Sequence, residues 1–157
     1  MQVCILISTS AFSLTWQQKS SFTPGSRYGA FSFSIGQKGY VGSGVIQNGT
    51  TLNLINDFWE YDPTKDTWSR VADFGGSARY DAVAFGLTNK GYVCSGYDGN
   101  YLKDFWEYDP ATNTWTQKVS PGGSKRSAAA VFVVNAKAYI VSGSNNGSYL
   151  NDLWEYD

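Results

Sequence analysis

The chain of 157 residues has no histidine, two cysteines, four prolines and one methionine, and only 16% of it is charged. Without an imidazole, a Ser-His-Asp triad, a His-ligated zinc and a histidine general base are excluded. Two cysteines, Cys4 and Cys94, cannot supply a four-ligand metal cage. A disulfide between them is not expected either, because Cys94 falls inside a repeated apolar strand and Cys4 inside an N-terminal leader. Twelve Lys and Arg against 13 Asp and Glu give a net charge of −1, which leaves no basic stripe for nucleic acid and no acidic tail. No Gly-rich phosphate loop joins a strand to a helix. The apolar run Val3 to Ile7 is too short to span a bilayer. These absences leave no catalytic residue, no metal and no cofactor expected.

What the chain does have is aromatic side chains and repetition. Nine Phe, 11 Tyr and six Trp accompany 17 Gly, enough for a core and many turns. The core Trp-Glu-Tyr occurs three times, at Trp59 to Tyr61, Trp106 to Tyr108 and Trp154 to Tyr156, at offsets of 47 and 48 residues. Other landmarks keep the same register. Arg27, Arg79 and Arg126 open the units, then come Tyr40, Tyr92 and Tyr139, then Gly44, Gly96 and Gly143, and after the first two Trp-Glu-Tyr segments come Trp68 and Trp115. A period near 50 without a helical pattern means one four-stranded unit copied along the chain.

Each unit reads as strand, short turn, strand, longer loop, strand, turn, strand. Phe31-Ser32-Phe33-Ser34-Ile35 alternates with period two, as a half-buried strand does. Ala128 to Val134 and Lys137 to Val141 are apolar and β-branched. Asp62 to Asp66 and Asp109 to Asn113 carry turn chemistry between the third and fourth strands. Tyr61, Tyr108, Tyr156, Trp68 and Trp115 are expected in the core, where each buries roughly 150 to 250 Å².

This order of landmarks, Arg, apolar strand, Tyr, Gly, Tyr-Asp-Pro, Trp, resembles the kelch repeat over residues 16 to 157. The resemblance implies an all-β, kelch-type β-propeller of about three four-stranded blades: a partial propeller, or half of a six-bladed ring. It divides the chain into a leader over 1–13, an orphan fourth strand at 15–19, blades at 27–73 and 79–119, and an incomplete blade at 126–157. The likeness to galactose-oxidase-type propellers extends to the fold alone, since their copper chemistry depends on histidine. One departure is systematic. The first Gly of the family's Gly-Gly pair is Ser43, Ser95 and Ser142 here, which implies a position needing compactness more than a left-handed backbone.

In the family the arginine position commonly bonds carbonyls of a neighbouring blade, so Arg27, Arg79 and Arg126 read as clamps. An Arg fork also suits a carboxylate ligand, which keeps them among the binding candidates. Glu60, Glu107 and Glu155 recur at one strand position and read as structural or solvated, while Asp57, Asp104 and Asp152 are expected to cap loop backbone. The loops between strands two and three carry the remaining binding candidates: Asn48 in the first, which is the longest, Tyr97, Asp98, Asn100 and Tyr101 in the second, and Asn145, Asn146 and Tyr149 in the third. Asn, Ser and Tyr suit protein partners or glycans; Asn-Gly and Asp-Gly equally make plain turns. Asp98-Gly99-Asn100 has too few carboxylates for calcium.

Two functions from different classes remain open. The first is a noncatalytic binding or scaffold module for protein partners, with glycan as a second ligand class. The second, implied by resemblance, is part of a sugar-acting propeller enzyme similar to sialic-acid epimerases. Residues 1–13 read as a secretory signal peptide lacking its basic start, or as an ordinary leader. With the similarity to secreted bacterial kelch proteins, that implies a secreted or cell-envelope setting. Three units do not close a ring, so the chain is expected either to be a piece of a longer protein or to pair head to tail with a second copy.

Overall fold

The computed structural model describes residues 15–157, and among them every regular element is a strand. The expected leader over 1–13, with Cys4, lies outside the described residues. The first sheet holds β1 (Phe31–Ile35), β2 (Lys38–Gly42), β5 (Phe58–Asp62) and β6 (Thr67–Arg70) in that spatial order, all antiparallel. Between β2 and β5 the chain makes a hairpin of β3 (Val45–Asn48) and β4 (Thr51–Leu54). The second sheet repeats the order with β7 (Val83–Leu87), β8 (Lys90–Cys94), β9 (Phe105–Asp109) and β10 (Thr114–Lys118). The third contains β11 (Ala130–Val134), β12 (Lys137–Val141) and β15 (Leu153–Tyr156), with a short hairpin of β13 (Ser144–Asn145) and β14 (Ser148–Tyr149). The all-β, blade-by-blade architecture is therefore as the repeat implies.

Alternation decides which side chains meet between sheets. Phe31, Phe33, Tyr40 and Phe58 of the first sheet form one buried cluster with Phe74, Val93 and Tyr108. Val83, Phe85, Tyr92, Cys94 and Phe105 of the second form another with Ala138 and Ile140 of the third, with Tyr156 against it. The core thus lies between neighbouring sheets, one aromatic face on the next. Tyr108 stands edge-on to Phe58 at 4.9 Å, and Tyr156 repeats the contact on Phe105 at 4.8 Å. At the inner edge the backbones nearly touch. A Cβ on Gly86 would lie 1.8 Å from the Ser34 carbonyl oxygen, so only glycine lets β1 and β7 approach this closely.

Burial of the recurrent aromatics depends on having a neighbour. Tyr108 is buried, whereas Tyr61 and Trp68 stay half-exposed because, among the described residues, no sheet covers their face. The third sheet shows the converse on its other face, where Phe132 and Leu153 are exposed. The strand expected at 15–19 is not formed: these residues have no ladder and Trp16 is fully exposed. A strand without a partner cannot satisfy its backbone groups except with water. Likewise Ala128 and Ala129 precede β11, because Ala128 has φ 51°, which no strand tolerates.

The serines give a second correction. Ser43, Ser95 and Ser142 have φ of 58°, 65° and 60°, so the position is left-handed after all, and the glycine that follows is also at positive φ. The two successive positive-φ residues interrupt the ladder at the end of the second strand without changing its register, since Phe31 pairs with Gly42 before them and Tyr28 with Val45 after them. At that interruption each serine carbonyl accepts from an arginine.

Candidate binding face

The three loops between strands two and three are stapled at their base by one repeated device. Arg79 donates from Nη1 to the Ser95 carbonyl oxygen at 2.9 Å and grips both oxygens of Asp104. Ser95 starts that loop and Asp104 ends it, and the Ser95 amide donates to the Asp104 carbonyl at 3.2 Å. Arg126 does the same with the Ser142 carbonyl and Asp152, and Arg27 with the Ser43 carbonyl and Asp57. Phe22 and Phe74 cover the Arg27 and Arg79 guanidinium groups at 4.8 and 4.9 Å. The Trp59, Trp106 and Trp154 indoles donate to the same carboxylates.

The arginines are therefore clamps, though within their own sheet and not across to a neighbour as the resemblance implied. With Arg79 only 1% exposed and its fork filled by Asp104, its side chain has no face for a ligand. Asp57, Asp104 and Asp152, expected as backbone caps, are instead the partners of the arginines. The Arg126 guanidinium and the Trp154 indole lower the Asp152 carboxyl to about 2. Across sheets the stitch is main chain: the Gly44 amide donates to the Arg79 carbonyl at 2.7 Å and the Gly96 amide to the Arg126 carbonyl at 2.9 Å. Each clamp thus sits where loop, strand and next sheet join.

Above the clamps the residue after each arginine pairs with its loop. Tyr28 bridges to Val45, Tyr80 to Tyr97 and Ser127 to Ser144. This brings four tyrosines into a continuous row: Tyr28 and Tyr80 have ring centroids 6.4 Å apart, Tyr80 and Tyr97 5.5 Å, and Tyr97 and Tyr101 5.1 Å, all edge to face. Tyr28 is 47% exposed and the other three are half-buried. Tyr97 and Tyr101 were anticipated from the loop sequence. Tyr28 and Tyr80 were missed, although the repeated Arg-Tyr at 27–28 and 79–80 was the available signal.

Polar groups border the row. Burial disfavours charge on Asp98, but hydrogen bonds from the Ser77 hydroxyl and the Asn100 amide outweigh it and hold the carboxyl below its ordinary range. Burial raises the Asp81 carboxyl instead. Beside it, Tyr80 is raised by burial and by the Asp81 charge. Asn48 and Asn146 are at the exposed hairpin tips, Asn145 is half-buried in β13, and Tyr149 is 91% exposed on β14. Glu60 and Glu155, on the strands, each accept from a lysine and a tyrosine, Lys38 with Tyr40 and Lys137 with Tyr139. Among the described residues no three His, Cys, Asp or Glu side chains are grouped to hold a metal ion, and no helix is long and apolar enough to cross a membrane.

Comparison with known proteins agrees with this geometry. The model of the kelch motif matches residues 47–75 and 78–122. No curated protein matches the chain. The solved structure of YjhT superposes with a TM-score of 0.79 over 91% of this chain at 20% identity, and this chain spans 53% of that one. At such identity the likeness is one of fold.

Proposed function

The chain is built of kelch motifs folded as consecutive blades of a β-propeller, and from that premise we propose that it is a noncatalytic module binding a protein partner through its loop face. The observation that carries this reading is the row of Tyr28, Tyr80, Tyr97 and Tyr101 on loops fixed by the Arg–Asp clamps. Tyrosine offers a flat apolar surface with a hydroxyl at its edge and only two side-chain torsions to immobilise, so a preformed row loses little entropy on binding. The carboxylates favour binding over catalysis: Asp57, Asp104 and Asp152 are bound in clamps, and Glu60 and Glu155 in strand-face pairs.

A glycan is the second ligand class, supported by the same rings beside Asp98 and Asn100. The setting we propose is secreted or at the cell envelope, on the strength of the leader-like residues 1–13. A photo-crosslinking side chain at Tyr101 would identify the partner from secreted and surface protein, and titration calorimetry with that purified partner gives the affinity. Replacing Tyr97 or Tyr101 by Ala is expected to cost at least about tenfold, as buried aromatic anchors do. Unchanged affinity after deletion of residues 97–102 sinks the proposal, and a glycan-array signal lost with the same deletion would replace protein by glycan.

A further inference from the structure

One carboxylate of this chain serves no contact in the fold. All 13 acidic side chains lie among the described residues, and every one except Asp81 accepts a hydrogen bond or pairs with a cation there. Asp81 does neither. It stands two positions after Arg79, where the other units have Gly29 and Ala128, and residues 29, 81 and 128 have φ of 63°, 53° and 51°. Main chain links the three across the sheets: the Asp81 amide donates to the Gly29 carbonyl at 2.9 Å, and the Ala128 amide to the Asp81 carbonyl at 3.0 Å. They lead into β1, β7 and β11, which pack on one another at the inner edge. Because Asp81 belongs to the middle sheet, its neighbours on both sides are described residues.

Glycine at 29 makes room for that side chain. A Cβ there would lie 3.1 Å from Oδ1 of Asp81 and 2.8 Å from the Cβ of Tyr80. Burial raises the Asp81 carboxyl, and no basic side chain among the described residues offsets it. The charge of an unpaired, partly buried carboxylate costs the fold stability, and a cation bound beside it offsets that cost. The aromatic row supplies the rest of a site. Tyr80 feels the Asp81 charge, and its ring has those of Tyr28 and Tyr97 as neighbours at 6.4 and 5.5 Å. The hydroxyls of Tyr40, Tyr61, Tyr108 and Tyr139 donate within their own units, whereas those of Tyr28, Tyr80, Tyr97 and Tyr101 make no hydrogen bond among the described residues. A tyrosine ring attracts a cation held within about 6 Å of its centroid, and hydroxyl and carboxylate oxygens accept from an ammonium.

We infer that Asp81 and the tyrosine row form a subsite for a lysine side chain of the protein partner, with the ammonium at the carboxylate and the aliphatic stem along the rings. The inference rests on the loop-face reading above and adds the chemistry of what is gripped there. Lysine carries a compact charge on an apolar stem. With Oδ1 of Asp81 turned toward Gly29, such a point charge suits the carboxylate better than the two-pronged fork of arginine, which needs both oxygens.

The test is an NMR titration of the full 157-residue chain with Nα-acetyl-lysine methylamide at low salt. Saturable shifts are expected at the amides of Tyr80, Asp81 and Tyr97. The norleucine analogue, which keeps an aliphatic stem and lacks the ammonium, should not produce them. Asp81→Asn keeps the side-chain shape and tolerates the left-handed backbone. It is expected to weaken the lysine probe about tenfold, as loss of a charged acceptor does, and to melt no lower than the wild type. The inference is overturned if the lysine probe gives no saturable shift, if the norleucine analogue binds equally, or if Asp81→Asn leaves the affinity unchanged. A melting temperature lowered by Asp81→Asn also overturns it, because the carboxylate then serves the fold. The probe carries no partner surface, so its failure would not touch the loop-face reading, which the deletion of residues 97–102 tests separately.

Discussion

Replacing Ser43 by Gly is expected to stabilise the protein, and the size follows from two features of one residue. Ser43 has φ 58° and is completely buried, and its hydroxyl has no hydrogen-bond partner. A left-handed backbone costs a residue with a Cβ roughly 1–2 kcal/mol, which Gly avoids. Gly returns about 0.5–1 kcal/mol of that through the greater freedom of its unfolded chain. Removing a buried unpaired hydroxyl adds about 1–3 kcal/mol. The net gain is about 2 kcal/mol, or roughly 4–8 °C in melting temperature for a chain of this size. The other two units supply internal controls. Ser95 and Ser142 have the same backbone, but their hydroxyls are engaged, by the Cys94 thiol at 3.0 Å and the Val141 carbonyl at 2.7 Å. Ser95→Gly and Ser142→Gly should therefore gain less, within about 1 kcal/mol of neutral. Urea unfolding of the three variants measures the order directly. If Ser43→Gly is no more stable than Ser142→Gly, the hydroxyl is satisfied in solution and the reasoning fails.

The clamps and their ionisation give two further predictions. Arg79→Ala removes both bonds to Asp104 and the one to the Ser95 carbonyl from a site that is 1% exposed, so it should cost about 3–5 kcal/mol. Limited proteolysis should then cut first within residues 97–102, and resistance of that loop in a destabilised variant would argue against the staple. Because Asp152 titrates at about 2 in the folded chain and near its ordinary value when unfolded, the unfolded state binds the proton first. The Arg126–Asp152 contribution is thus complete above about pH 4 and is lost as the pH falls toward 2. The melting temperature of the wild type should drop more steeply over that window than that of Asp152→Asn, and parallel slopes would contradict the pairing.

The strands could be read along the chain because their determinants are local. Phe31 to Ile35 alternates in sequence and alternates in burial, and the Asp62 to Asp66 turn forms where its residue types place it, with the Thr64 amide bonded to the Asp62 side chain. The candidate site was legible in part. Tyr97, Tyr101 and the loop asparagines lie in the expected loops, but nothing in a one-dimensional pattern places Tyr28 beside Tyr80, 52 positions on. The arginines were seen as clamps and their partners misassigned. Arg27 and Asp57 are 30 positions apart, and only closure of the sheet brings them within bonding distance.

By itself, then, the repeat determined the strand order, the four-stranded unit and the aromatic character of the core, since each depends on period-two alternation and turn chemistry within a few residues. The tertiary structure alone decided three things. It set the serine backbones left-handed, because their carbonyls must meet the arginines. It aligned four tyrosines that belong to two sheets. It also buried Tyr108 while leaving Tyr61 half-exposed in the same motif, because burial belongs to the face a neighbouring sheet covers and not to the residue.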